Sequence, residues 1–354
     1  MTAPSSVKWF DEIALADRPT VGGKGASLGE LTRAGIRVPP GFVIPVATFE
    51  RFLGAIDPGG RIRASIAALE GRDLNALSET AAEVRERIIN ADLPEHVAED
   101  IARAYRTIAR AEGEVPVAVR SSATSEDSAD ASFAGLQDTY LWIRGEQAVI
   151  EHVRKCWASL YNTESVTYRH RLKLPEEQVA MAVVVQRMAL ARTAGVMFTR
   201  SPTTGDRSTI VIEGAWGLGS CLVSGEVTPD RYVVSKVTGE IVARTISRKL
   251  VRHVPDLVRG GTCAEPLPDE LQGEPCLSDE EVGELAATAK RIERHYGSAQ
   301  DIEWAIADGR GASALWLLQS RPETVWSARE DEPIARPKAT PFDHVLAVLG
   351  HRES

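Results

Sequence analysis

The chain has 354 residues, of which 43% are hydrophobic and 26% charged, with a formal net charge of −9 and a pI ≈ 5.4. This composition is typical of a soluble globular protein and predicts two or three domains of about 100–200 residues each. The negative charge argues against bulk electrostatic binding to nucleic acid or to an acidic membrane, but it allows a locally basic pocket for a small anion.

Apolar runs and cysteine spacing indicate the cellular setting. The longest apolar stretch, within residues 179–185, is far shorter than the roughly 20 residues that span a bilayer, and the N-terminus has no apolar signal region. The four cysteines lack CxxC spacing. We therefore expect a cytoplasmic protein without membrane association, a disulfide framework or a cysteine-bound metal cluster.

The elements up to residue 234 are predicted from composition and periodicity. In chain order they are helices within 58–110 with a break at 92–94, a strand at 115–119, a polar loop at 120–130, a helix at 146–171, and strands at 181–185, 211–212 and 232–234. A later helix begins with a capping box of Ser278 and Glu281 and stops at Gly297. The residues after Trp326, rich in charge and proline, are predicted to be an exposed tail with room for a short helix at 344–349. This irregular order predicts an α+β fold.

Two glycine clusters are candidates for ligand contact. Residues 21–27 read VGGKGAS, in which glycine amides can approach an anion and Lys24 adds a cation. The GxxxxGK[ST] spacing fails, because position 18 is Arg and position 25 is Gly, so a glycine-rich helix entry is the alternative. Residues 214–219 lack GxGxxG spacing, which favours a tight turn beside a strand over dinucleotide binding.

Two strand ends carry polar residues suited to a nucleotide. Arg120 follows a short strand and precedes hydroxyl and glycine residues, which together can hold phosphate oxygens. A polar surface loop with an Arg–carboxylate pair is the alternative. Gln186 and Met188 end an apolar strand and could contact an adenine, although a methionine there also fits ordinary core packing.

A predicted hairpin near the C-terminus is the motif whose residues can be placed most specifically, from strand register and alternation. Strands at 301–306 and 315–321 flank a turn-forming stretch at 308–311. A centre near Gly311 places Glu303 opposite Gln319, and period-two alternation puts Gln319 and Arg321 on one face. Oxygen ligands beside a guanidinium suit Mg²⁺ and a polyphosphate. The alternative is a solvent-facing polar stripe opposite an apolar face of Ile302, Trp304 and Ile306.

These motifs occur together in a familiar order. The ordered blocks are VGGKGASLGEL, VPPGFVI, VRSSATSED, SFAGLQDTYL, VVQRM, GVMFT, SGEVTPDRY, DIEW and LQSRPETVW. Over about residues 10–326 the chain resembles the N-terminal ATP-binding domain of the phosphoenolpyruvate-utilising dikinases, which include phosphoenolpyruvate synthase, pyruvate, phosphate dikinase, rifampin phosphotransferase and phenylphosphate synthase.

The resemblance implies an ATP-grasp-like fold in which two lobes clamp ATP with Mg²⁺. It implies an N-terminal lobe at 1–188, a C-terminal lobe with a metal-binding hairpin at 189–327, and a tail or linker at 328–354. Lys24 and Arg120 would bind phosphates, and Gly135 and Thr139 would belong to a loop over them. Gln186 and Met188 would lie at the adenine. Glu303 and Gln319 would hold Mg²⁺, and Arg321 would face the transferring phosphoryl group.

The resemblance also implies a partner. Family enzymes carry the phosphoryl group on a histidine of a swivelling domain, and no such histidine motif follows Trp326. We therefore expect the ATP-binding subunit of a split phosphotransferase, similar to that of phenylphosphate synthase, which passes a phosphoryl group to a partner's histidine and then to a small-molecule acceptor such as a phenol. The alternatives are an excised domain of phosphoenolpyruvate synthase or rifampin phosphotransferase, and a non-catalytic nucleotide-sensing subunit.

Two departures from the family pattern affect the expected contacts. Many relatives have GLGE where residues 217–220 read GLGS, so a carboxylate is missing at Ser220. Leu136 stands where relatives often carry Gln, so phosphate contacts of that loop are expected to differ.

Overall fold

The computed structural model describes residues 5–69, 73–123, 138–307 and 314–327. The chain forms two compact units, Met1–Glu323 and Thr324–Ser354, and every helix and strand named below lies in the first. The predicted tail and its helix at 344–349 lie outside the described residues. Among the described helices, none has the length and apolar character needed to cross a membrane.

Helices occur throughout the first unit. They are α1 (Arg18–Arg33), α2 (Val46–Ile56), α3 (Arg61–Ala67), α4 (Leu74–Asn90), α5 (Glu95–Ala109), α6 (Glu146–Ala158), α7 (Thr163–Leu172), α8 (Ser220–Val223), α9 (Asp269–Gln272) and α10 (Asp279–Tyr296).

The strands pair antiparallel throughout. They are β1 (Lys8–Trp9), β2 (Gly41–Ile44), β3 (Val117–Ala123), β4 (Thr139–Ile143), β5 (Met181–Arg187), β6 (Ala191–Phe198), β7 (Thr209–Trp216), β8 (Asp230–Ser235), β9 (Ile241–Thr245), β10 (Val251–Pro255), β11 (Thr262–Pro266), β12 (Gln300–Ala307) and β13 (Leu315–Pro322). A five-stranded sheet has the order β1-β2-β5-β3-β4, a six-stranded sheet the order β13-β12-β6-β7-β8-β9, and β10-β11 form a separate ribbon.

This mixture of helices and antiparallel sheets confirms the predicted α+β class. The five-stranded sheet uses residues 8–187 and the six-stranded sheet residues 191–322, so the predicted division at 188 falls between them. The ATP-grasp-like clamp and the lobes that it implies stay predictions.

The five-stranded sheet is covered on both faces. Val183 and Val185 of β5 pack with helices α2 to α7, whereas Ala182 and Val184 pack with residues of α1. This division follows from the alternation of side chains along a strand. The all-apolar run in β5 therefore reflects burial on two sides, as its composition predicts.

The six-stranded sheet buries one face against α10. Ile302, Trp304 and Ile306 of β12 share a core with Leu285 and other apolar residues of that helix. The predicted capping box is confirmed, since Ser278 Oγ accepts from the Glu281 amide at 3.2 Å and Glu281 Oε2 accepts from the Ser278 amide at 2.9 Å. This docking leaves the face of β12 that carries Glu303 turned away from α10.

Two sequence predictions were wrong at element boundaries. Residues 146–171 form two helices instead of one, because Asn162 adopts an extended conformation and its side chain bonds to Asp138. Arg120 begins no loop: β3 continues to Ala123, because its backbone pairs with β5 as far as Met181. The other predicted helices and strands are confirmed, including the break between α4 and α5, while 124–130 lies outside the described residues.

Candidate functional site

The glycine-rich segment forms a sharp break within α1. Gly22 has φ 72° and ψ 176°, and a Cβ at this position would lie 2.0 Å from the backbone oxygen of Ser122. Ser122 Oγ donates to the Val21 carbonyl at 2.8 Å and accepts from the Gly25 amide at 3.1 Å. Only glycine tolerates both the backbone angle and this close approach. The strand β3 thus fixes where the second part of α1 begins.

Lys24 lies in the first turn after this break and is only 9% exposed. Its charge acts on the buried Cys156 thiol, whose pKa is raised by burial and by Asp138 and lowered slightly by Lys24. Thr139, predicted to belong to a loop, is exposed and is the first residue of β4, where its backbone pairs with Arg120 of β3. Gly135, the other predicted loop residue, lies outside the described residues.

Arg120 connects the two large sheets. From β3 its guanidinium donates to Gln319 Oε1 at 2.7 Å, to Glu303 Oε2 at 3.1 Å and to the Leu318 carbonyl at 3.1 Å. Its side chain is only 11% exposed. The alternative of an Arg–carboxylate pair on a surface loop is therefore wrong in its setting, because the Arg120 side chain is largely buried and extends from a strand.

The hairpin of β12 and β13 has the predicted register. Glu303 pairs with Gln319 and Asp301 with Arg321, but the register shifts between Glu303 and Trp304. Leu318 is the extra residue of this bulge, and its carbonyl is the one that accepts from Arg120. The bulge also lets Leu317 face the core while Gln319 faces Arg120, which uninterrupted alternation would forbid.

Glu303 and Gln319 fit one side of a metal site. Both bond to the same Arg120 nitrogen, so their oxygens lie close together. Gln319 is buried, whereas the Glu303 side chain is 39% exposed and can be reached by a ligand. In the described parts of the chain no three His, Cys, Asp or Glu residues cluster as a metal site. A carboxylate and an amide oxygen suit Mg²⁺ that takes its remaining ligands from phosphate and water.

Arg321 and Gln186 complete the predicted set. Arg321 is 43% exposed and lies 3.4 Å from Asp301 Oδ2. Gln186 pairs across from Ala118, two residues from Arg120, so both side chains belong to the α1 face of the first sheet. Gln186 is 3% exposed, and within the described residues its Nε2 has no hydrogen-bond partner. A buried amide donor of this kind is suited to an acceptor on a ligand.

The backbone amide of Met188 is bonded within the protein. This residue follows β5, is half-buried, and its amide donates to the Pro116 carbonyl at 2.9 Å. Its backbone donor is therefore used within the protein.

Sequence reasoning missed the Leu318 carbonyl and Glu213, and it placed Ser122 among the phosphate-binding hydroxyls, whereas that hydroxyl bonds to Val21 and Gly25. Glu213 faces Val196, which in turn faces Glu303, so this carboxylate lies on the same side of the second sheet. The sequence pattern could have identified Glu213, since it is the single charged residue of the strand TIVIEGAW. Ser122 and Leu318 act through tertiary contacts that leave no local pattern.

Comparison with known families finds a match over most of the chain. The family described as "Pyruvate phosphate dikinase, AMP/ATP-binding domain" matches residues 18–340. The chain belongs to this family. All the described site residues, from Lys24 to Arg321, lie within the matched range.

Curated relatives are similar over nearly the whole chain. The "Probable phosphoenolpyruvate synthase" of Staphylothermus marinus is 41% identical over 94% of this chain and 43% of the relative. The protein of the same name from Methanothermobacter thermautotrophicus is 43% identical over 92% of this chain and 47% of the relative. The "Phosphoenolpyruvate synthase" of Aeropyrum pernix is 41% identical over 96% of this chain and 45% of the relative. The chain thus spans less than half the length of these relatives.

A solved structure gives no further information on the fold. The "Crystal structure of PH1788 from Pyrococcus horikoshii Ot3" covers 69% of this chain and 97% of that chain at 14% identity, with a TM-score of 0.31. This similarity is too low to support an argument.

Proposed function

We propose that this chain is the Mg-ATP-binding unit of a dikinase-type phosphotransferase. The observation that carries this proposal is the partly buried link from Arg120 to Glu303 and Gln319, which brings together a guanidinium, a carboxylate and an amide oxygen from the two large sheets. A structural ion pair alone would not require that Glu303 stay accessible. Membership of an AMP/ATP-binding family supports a nucleotide as the ligand.

The cations of the site would bind the polyphosphate. Lys24 follows the glycine break, Arg120 reaches the hairpin, and Arg321 is exposed beside Asp301. Fixed guanidinium donors bind phosphate oxygens well, and charge placed in advance stabilises a phosphoryl group during transfer. Glu303 and Gln319 would hold Mg²⁺, which neutralises phosphate charge when bound.

Gln186 would bind the adenine. Its buried Nε2 donates to no described residue, and adenine offers ring nitrogens as acceptors. The side chain of Met188 would contact the ring, in keeping with the soft apolar walls of nucleotide pockets. Gly135 would belong to a loop near the phosphates, and Thr139 would follow that loop as the first residue of β4.

The phosphoryl group would pass to a histidine on a swivelling phosphocarrier, either a partner subunit or another domain, with AMP and phosphate as the final nucleotide products. The names of the relatives favour pyruvate as the final acceptor, as in phosphoenolpyruvate synthase. A phenol, as in phenylphosphate synthase, and rifampin are acceptors to be tested beside it. A purely nucleotide-sensing role would leave the accessible Glu303 without a purpose.

Transfer to a carrier histidine tests this function. The chain is incubated with Mg²⁺ and a phosphohistidine domain of a phosphoenolpyruvate synthase, using ATP labelled in separate reactions at the β or γ phosphorus. We expect acid-labile label on the carrier and, with pyruvate, phenol or rifampin added, one labelled product. The chain alone should yield at most slow hydrolysis. Stoichiometric product without a carrier, or no label on any carrier, would contradict the proposal.

A further inference from the structure

A second polar cluster lies outside the contacts assigned above. Ser220 Oγ lies 2.8 Å from His253 Nδ1, and His253 Nε2 lies 3.1 Å from Glu226 Oε2. The His253 side chain is only 13% exposed, whereas that of Glu226 is 47% exposed. A hydroxyl, an imidazole and a carboxylate are thus joined in series, and this is the arrangement by which proteins turn a hydroxyl into a nucleophile.

The hydrogen-bond directions in this cluster can be assigned. The bond from His253 keeps the pKa of Glu226 below its usual range, so Glu226 is an ionised acceptor at neutral pH. Since a carboxylate can only accept, His253 Nε2 carries a proton, and an unprotonated Nδ1 accepts from the Ser220 hydroxyl. In this tautomer the serine proton points at a base.

The backbone holds His253 in place. The Leu218 amide donates to the His253 carbonyl at 2.9 Å, and a Cβ at Gly217 would lie 2.5 Å from that same carbonyl oxygen. Gly217 also has φ 80°. The turn bearing Ser220 and the strand bearing His253 are thus fixed against each other by a contact that only glycine permits.

The cluster borders the sheet face that carries Glu303. A Cβ at Gly219 would contact the Ala194 Cβ at 3.6 Å, and Ala194 is two residues before Val196, which pairs with Glu303. Alternation puts Ala194 and Val196 on one face. A phosphoester bound near Glu303 would therefore lie on the same side of the sheet as the turn that carries Ser220.

We propose that Ser220 is a nucleophilic serine that accepts a phosphoryl group from a phosphoester, with His253 as its base and Glu226 orienting the imidazole. The Ser220 Oγ–P bond forms, the bond from phosphorus to its leaving group breaks, and the hydroxyl proton moves to His253 Nδ1. With ATP attacked at its γ phosphorus the leaving group is ADP. The phosphorus can come from a nucleotide in the site of the proposed function or from another phosphoester.

Covalent labelling separates these sources. In one arm the chain reacts with a biotinylated fluorophosphonate, in which fluoride is the leaving group, and in the other with Mg²⁺ and γ-labelled ATP. Peptide mass spectrometry of the unaltered protein then locates the adduct, without depending on any variant. Adduct on Ser220 from ATP identifies the nucleotide as a source, and adduct from the fluorophosphonate alone shows a nucleophilic serine that does not take its phosphorus from ATP. Absence of an adduct on Ser220 in both arms overturns the proposal.

Variants test the roles within the cluster. Ser220→Ala should abolish labelling, and His253→Asn should slow it by about 10²-fold or more, the usual effect of losing a general base. Glu226→Gln should slow labelling less. The control is Ser208→Ala, at an exposed serine whose hydroxyl donates to Asp206 Oδ1 at 2.8 Å, outside the cluster. Equal labelling of His253→Asn and the unaltered chain would contradict the base role.

The outcome is independent of ATP binding. If calorimetry finds no nucleotide binding but the fluorophosphonate labels Ser220, the proposed function fails while the reactive serine stands. If nucleotide binds and Ser220 is labelled in neither arm, the reactive serine is excluded while nucleotide binding by the chain stands.

Discussion

At the scale of single residues, the site depends on one guanidinium, that of Arg120, which donates to three acceptors. Arg120 satisfies Glu303 and Gln319 with the same Nη2 and still donates from Nη1 to Leu318. A guanidinium has five N–H donors in a fixed plane, which suits this arrangement, whereas a lysine ammonium is a compact point charge without that planar set of donors. Arg120 therefore keeps the carboxylate and amide oxygens side by side before any ligand arrives.

The carboxylate of Glu303 gives a test of the metal role. Glu303→Gln keeps the size of the side chain but removes an anionic metal ligand, so phosphoryl transfer should fall more than ATP binding, to which Gln186 also contributes. Turnover with a carrier and calorimetry on the same samples measure the two effects. The matched control is Glu265→Gln, at an ion pair with Arg252 on the β10–β11 ribbon. Unchanged turnover of Glu303→Gln would exclude the metal role.

At the scale of elements, the glycine break in α1 sets the position of Lys24. Gly22→Ala would combine a left-handed backbone with a collision against the Ser122 backbone, so we expect destabilisation by more than about 1 kcal/mol. Gly54→Ala in α2 is the control, because its Cβ would meet nothing within 4 Å and should stabilise the helix by up to about 1 kcal/mol. Denaturation midpoints of both variants measure the contrast. Equal midpoints would show that Gly22 is not constrained.

The hairpin shows what local sequence can predict. The register of Glu303 with Gln319 follows from symmetry about the turn, and the core face of β12 follows from alternation. The bulge at Leu318 does not follow, because it arises when Leu317 must face α10 while Gln319 faces Arg120. Arg120 itself is separated from Glu303 by 183 positions, so their ion pair depends on the packing of two sheets. The strand extension to Ala123 likewise depends on pairing with β5.

At the scale of the whole molecule, the phosphate-binding groups come from distant parts of the chain. Lys24 and Arg120 belong to the segments around the first sheet and Arg321 to the second. We predict that nucleotide draws these parts together, because closure excludes water from the reacting phosphoryl group. Small-angle scattering should show a smaller radius of gyration with Mg-ATP than without nucleotide. Identical scattering curves at saturating nucleotide would contradict closure.

The central claim is that the groups around Arg120 bind Mg-ATP, and calorimetry tests it most directly. The unaltered chain should bind ATP in the presence of Mg²⁺ and more weakly with EDTA. Arg120→Ala, if folded by circular dichroism, should weaken binding by about 10-fold or more, since a hydrogen bond to a charged group contributes roughly 1.5 kcal/mol or more. Arg106→Ala, at an exposed pair on α5, should bind as the unaltered chain does. No binding by the unaltered chain, or equal binding by Arg120→Ala, would contradict the account.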